Sequence, residues 1–223
     1  MSELDLAALD RDGALEEARD GLSRAGFLGT LAATGTGALL ALADDAGAAP
    51  LRRSDVEVLN YALSLEYLQA AFYTEAERSK ALSKRAAEAA RVVGAVERAH
   101  VKAFSSLLGR KAIARPRFDF QGVTEDSGDF IKTAVAFEDL AVAAYKGQAA
   151  KLKSGAVLAS AIGIHTVEAR HAAWMRYLTG VQPAASAFDE PQTRAEINQV
   201  VKATGFVSSA PRTSARRSPR YTG

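Results

Sequence analysis

The sequence predicts an all-α fold: a four-helix bundle built from two hairpins, with a long crossover between the second and third helices and a short fifth helix. Three observations predict it. From Pro50 to Gly180 apolar residues recur with a helical period, and no segment shows convincing strand alternation. Two short turns and one connection of about 18 residues divide that stretch into four long segments. Each of the four carries a glutamate at the centre of its apolar stripe: Glu66, Glu97, Glu138 and Glu168.

Residues 1–53 form a leader. Its first 22 positions hold seven acidic and two basic side chains, and Ala25 to Ala43 is a run of 19 uncharged residues. That run is long enough to cross a membrane, but it is rich in Gly, Ala and Thr, so no stable membrane span is expected. A weak apolar run followed by "ALA" and "AGA" reads as an export signal with a small-residue cleavage site. It is similar to a twin-arginine signal, with Ser23, Arg24, Phe27 and Leu28 in place and Ala25 where the second arginine belongs. Export to the periplasm or cell surface is the expectation from this degenerate signal; a retained leader would leave the protein cytoplasmic.

The first helix starts at a capping-box pattern, Ser54 with Glu57, and carries Val56, Leu59, Leu63, Glu66, Ala70 and Tyr73 on one face. The second, from near Ser83, shows Val93, Glu97, His100, Phe104 and Leu107. The connection with Pro116, Gly122 and Gly128 is long enough to run the length of a bundle. The third helix shows Ile131, Ala134, Glu138, Val142 and Tyr145; the fourth shows Ala161, Ile164, Glu168, His171, Met175 and Leu178, and stops at Gly180. The bundle therefore spans 54–180. An extension over 181–206 follows, with a short helix capped by Thr193 and Glu196, then a basic tail over 207–223 that reads as disordered.

Charge and composition limit the chemistry. The net charge of +2 is local, since Arg212, Arg216, Arg217 and Arg220 are unopposed in the tail, and a nucleic-acid partner is not expected. There are no cysteines, so disulfides, thiolate metal sites and Cys nucleophiles are excluded. A metal site in this chain must use O and N donors, which suits iron, manganese or zinc.

Spacing then gathers the glutamates. "VERAH" (96–100) and "VEARH" (167–171) each place a Glu and a His three apart, on one helix face. Glu66 and Glu97 are equidistant from a point between Ala81 and Leu82, and Glu138 and Glu168 from Lys153. Residues equidistant from the turn of an antiparallel pair lie at the same height, about 15 residues or ~22 Å along each helix. "EYLQAAFY" (66–73) also aligns with "EDLAVAAY" (138–145), so the hairpins read as an internal repeat. Stacked with pseudo-two-fold symmetry, they bring Glu66, Glu97, His100, Glu138, Glu168 and His171 to one mid-bundle site for two metal ions. Charged groups in such stripes are costly to bury unless paired or ligating. Tyr73 and Tyr145, two turns beyond their glutamates, either serve that site by hydrogen bonding or electron relay or simply fill the core. His165, one turn before Glu168, is an accessory ligand or a solvated residue; Arg98 and Arg170 either orient the carboxylates or face solvent.

This pattern resembles the ferritin-like superfamily over roughly residues 54–180, where two helices each give a Glu and two give Glu-x-x-His. "VLNYALSLEYLQAAFY", "AFEDLAVAAY", "VEARHAAWMR" and "GVQPAASAFDEPQT" are similar to the bacterial ferritin-like and desiccation-related group. The resemblance implies metal ligands at the same six positions, with none missing. The expected cofactor is two iron ions, with manganese as the alternative, and the expected partners are metal ions and dioxygen or peroxide. A ferroxidase-like di-iron oxidoreductase tied to iron or oxidative stress is the leading expectation. Dimanganese peroxide removal and a non-catalytic desiccation protein stapled by metal are the alternatives; an oligomer is compatible with each.

Overall fold

A computed structural model describes residues 51–184 and 186–208; the leader up to position 50 and the tail from 209, with the export and tail expectations, lie outside the described residues. Four long helices, α1 (Arg53–Ser79), α2 (Lys84–Leu108), α3 (Ser127–Ala149) and α4 (Gly155–Leu178), are followed by a short α5 (Arg194–Thr204). α1 packs along α2 and α3 along α4, and across the hairpins α1 meets α3 and α2 meets α4. The turns fall at Lys80–Ser83 and at 150–154, as the matched spacing of the glutamates requires.

The expected cap forms at α5, where Thr193 and Glu196 make a capping box. At the start of α4 Ser154 also caps, accepting from the Val157 N–H. The capping box at Ser54 does not form. α1 begins two residues earlier, with Arg52 at its N-cap and no side-chain cap, and Glu57 pairs instead with Arg53 one turn back. Asp55, fully buried, accepts from the backbone N–H groups of Lys153 (2.7 Å) and Ser154 (3.1 Å). The start of α1 is thus tied to the α3–α4 turn through a tertiary contact that outweighs the local one.

The crossover is strapped along α1. At one end the Asn60 amide donates to the Lys111 carbonyl and accepts from the Ile113 N–H; at the other, Ser79 donates to the Thr124 carbonyl. Midway, Arg117–Phe118 (β1) pairs antiparallel with Val207–Ser208 (β2). This corrects the expectation of no strand and takes Val207 and Ser208 out of the tail: two residues are too few to show a period of two in the sequence.

The apolar core lies in two plugs. One, near the α1–α2 turn, stacks Phe72, Tyr73, Phe120, Phe130 and Met175; the other, near the α3–α4 turn, packs Leu59, Leu63, Phe104, Leu152 and Ile164. The mid-helix glutamates fall between them. Ile197 of α5, also buried, covers Tyr61, Leu65 and Leu140 from outside. Among the described residues no helix is long and apolar enough to cross a membrane.

Candidate metal centre

α1, α2, α3 and α4 bring all six expected residues together, and all are buried: the four glutamates completely, His100 to 3% and His171 to 7% exposure. They form two overlapping groups, Glu66–Glu97–His100–Glu168 and Glu97–Glu138–Glu168–His171, each with its donor atoms within 4.8 Å of one another. Glu97 and Glu168 belong to both. His100 Nδ1 lies 3.1–3.4 Å from carboxylate oxygens of Glu168, Glu66 and Glu97. His171 Nδ1 lies 3.0, 3.4 and 3.8 Å from Glu97, Glu138 and Glu168.

Those approaches are close but not directed. Neither Nδ1 makes a hydrogen bond, nor do Glu66 Oε2, both oxygens of Glu97, Glu138 Oε2 or Glu168 Oε1. Buried polar atoms are ordinarily paired, so a convergent set of orphaned O and N donors fits a cation held among them. The second oxygen of three of the carboxylates is held from outside. Tyr73 Oη donates to Glu138 Oε1 at 2.5 Å, Tyr145 Oη donates to Glu66 Oε1, and Gln69 Nε2 donates to Glu168 Oε2 at 3.4 Å. Each tyrosine therefore grips the glutamate of the opposite hairpin, a reciprocal exchange that follows from the repeat.

Burial pushes the carboxyls of Glu66 and Glu138 up to about 8, with the neighbouring carboxylates Glu97 and Glu168 adding to the shift against His100 and His171. Glu97 and Glu168 are buried too, yet contact with both imidazoles holds them below the usual carboxylate range. Burial disfavours the charged form of His100 and His171, but the surrounding carboxylates outweigh it and raise both well above the ordinary histidine value. Without metal, the cluster is thus close to neutral at pH 7: two imidazolium ions, two carboxylates and two carboxylic acids.

Spacing and periodicity do not single out Gln69. Its signal was its place one turn after Glu66 on the same face; its repeat counterpart is Ala141, so the two halves are not equivalent there. His165 lies outside both groups. Arg98 reaches Thr74 and Glu77 rather than any cluster carboxylate, and Arg170 is exposed.

No curated protein matches the chain. The ferritin-like domain family matches residues 54–181, more than half of the sequence and the whole of the four-helix bundle that builds the cluster, and the chain belongs to that family.

Proposed function

We propose that this chain is a dimetal carboxylate protein that binds two metal ions in the bundle core and carries out redox chemistry with dioxygen or peroxide. One observation carries the reading: two donor groups share Glu97 and Glu168, and their inward-facing atoms have no hydrogen-bond partner. Glu97 and Glu168, common to both donor groups, would help hold both ions, with Glu66 and His100 completing one set and Glu138 and His171 the other. Iron bound there would supply two-electron chemistry, and the carboxylate-rich donor set also suits manganese. The residues around the donors orient and shield. Tyr73, Tyr145 and Gln69 fix three carboxylates by their outer oxygens. The two apolar plugs keep bulk water from the donors.

Metal analysis of full-length protein, with variants, tests this reading. Two metals per chain are expected, and Glu97→Ala or Glu168→Ala should lose both because each residue serves both positions. His100→Ala should lose one. A reproducible single metal in replete wild-type protein would sink the two-metal reading. Oxygen consumption on adding Fe(II) separates the functions: turnover supports the oxidase, whereas stoichiometric binding without consumption makes the metal a structural staple. Export through the leader is part of the proposal, and the N-terminal sequence of protein recovered from cells tests it.

A further inference from the structure

Outside the metal cluster, the outer face of α1 and the crossover line an open, solvent-facing cleft of ≈ 710 Å³. That volume lies within the roughly 300–1,000 Å³ typical of small-molecule sites. It is lined by Thr74, Glu75 and Arg78 of α1 and by Arg115, Arg117 and Phe118 of the crossover, and the three arginines are solvent-exposed. Among the described residues none of the three arginines forms a salt bridge or a side-chain hydrogen bond. Other arginines of the fold do find partners: Arg98 has Glu77, and Arg176 has Asp139. Glu75, the one carboxylate in the cleft, already accepts from Thr124. The cleft therefore presents three guanidinium groups against one engaged carboxylate.

Cationic groups concentrated around a cleft raise the local concentration of anions. The planar fork of arginine suits bidentate binding of phosphoryl and carboxylate oxygens.

From these contacts we infer a second ligand site, independent of the metal reading: the cleft between α1 and the crossover binds a small molecule bearing a multivalent oxyanion, through Arg78, Arg115 and Arg117. The test is isothermal titration of the full chain with pyrophosphate and, separately, with citrate, beside the variant R78Q/R115Q/R117Q. Both probes also chelate metal ions. The triple variant leaves the metal cluster untouched and so controls for that heat. Binding of either probe is expected, weakened by salt and reduced at least about tenfold in the triple variant, whose melting temperature stays that of the wild type. Preference for pyrophosphate would identify a phosphoryl ligand, and preference for citrate a polycarboxylate. Two results would overturn the site: no binding of either probe to the wild type, or equal binding by the triple variant.

Discussion

Glu66 and Glu138 hold protons at neutral pH in the metal-free protein, and this sets how stability responds to pH. Their folded values lie near 8 against an ordinary 4.5, so between those limits the folded state binds protons that the unfolded chain has released. His100 and His171, raised above 6.5, act in the same direction. Stability from these four groups is complete at low pH and is lost as pH rises towards and through their folded values. Glu97 and Glu168 have the opposite sign and lose their contribution only on acidification below the usual carboxylate value. The melting temperature of metal-free protein should therefore fall from pH 6 to pH 9, as thermal scans across that range can check. Metal ions held as proposed would displace the same protons, so stabilisation by saturating Mn(II) should instead grow with pH. A flat metal-free profile would contradict the protonation pattern. At the same scale, Tyr73→Phe and Tyr145→Phe each remove one hydrogen bond to a carboxylate and keep the ring. Each variant should still bind two metals, with affinity lowered about 10–100-fold in a Co(II) titration.

α3 and the extension after α4 meet at a glycine. A Cβ on Gly147 would lie 1.9 Å from the backbone oxygen of Gln192, whose N–H donates to the Ala143 carbonyl at 3.1 Å. The extension crosses α3 at this point on its way into α5, and only a residue without a side chain lets the two backbones approach so closely. Gly147→Ala should cost about 1–3 kcal/mol, or about 2–4 °C of melting temperature per kcal/mol, and should raise hydrogen exchange in α5 while two-metal binding persists. Asp55 is the matching element-scale contact at the α3–α4 turn. Asp55→Ala leaves two backbone N–H groups without their acceptor and should destabilise the bundle by about 1–3 kcal/mol, read from urea unfolding. Equal stability of variant and wild type would show that water replaces the carboxylate.

At the scale of the molecule, the described residues form a polar layer between two apolar plugs, closed by four helices. On the proposed two-metal reading, ions held only by the folded cluster should raise the melting temperature by linkage at saturating metal. Trp174, the only tryptophan, packs half-buried against the plug near the α1–α2 turn. It is three residues after His171, ~4.5 Å of axial rise. Two equivalents of Co(II) should quench its emission, whereas Zn(II) should compete without strong quenching. Unchanged emission with Co(II) bound would place the metals away from α4.

The sequence by itself determined the register of this bundle. Glutamates at mirrored distances from two turns, two Glu-x-x-His pairs and a repeat of 71–72 residues suffice, because helix rise is constant and antiparallel partners must match in height. It also determined that one long connection crosses the bundle, since no short turn could replace about 18 residues there. Only the tertiary structure decided which groups close around the glutamates. Gln69 looks like any polar residue near a stripe until α4 brings Glu168 to it, and Tyr73 serves the glutamate of the other hairpin rather than its own. The capping pattern at Ser54 failed for the same reason, as the chain around Asp55 is held by a turn about 98 residues away. Local spacing carries periodicity and height, which depend on one helix or one hairpin. Hydrogen bonds between hairpins, the two-residue strand pair and the arginine cleft depend on how separate elements meet, and no window of sequence contains that information.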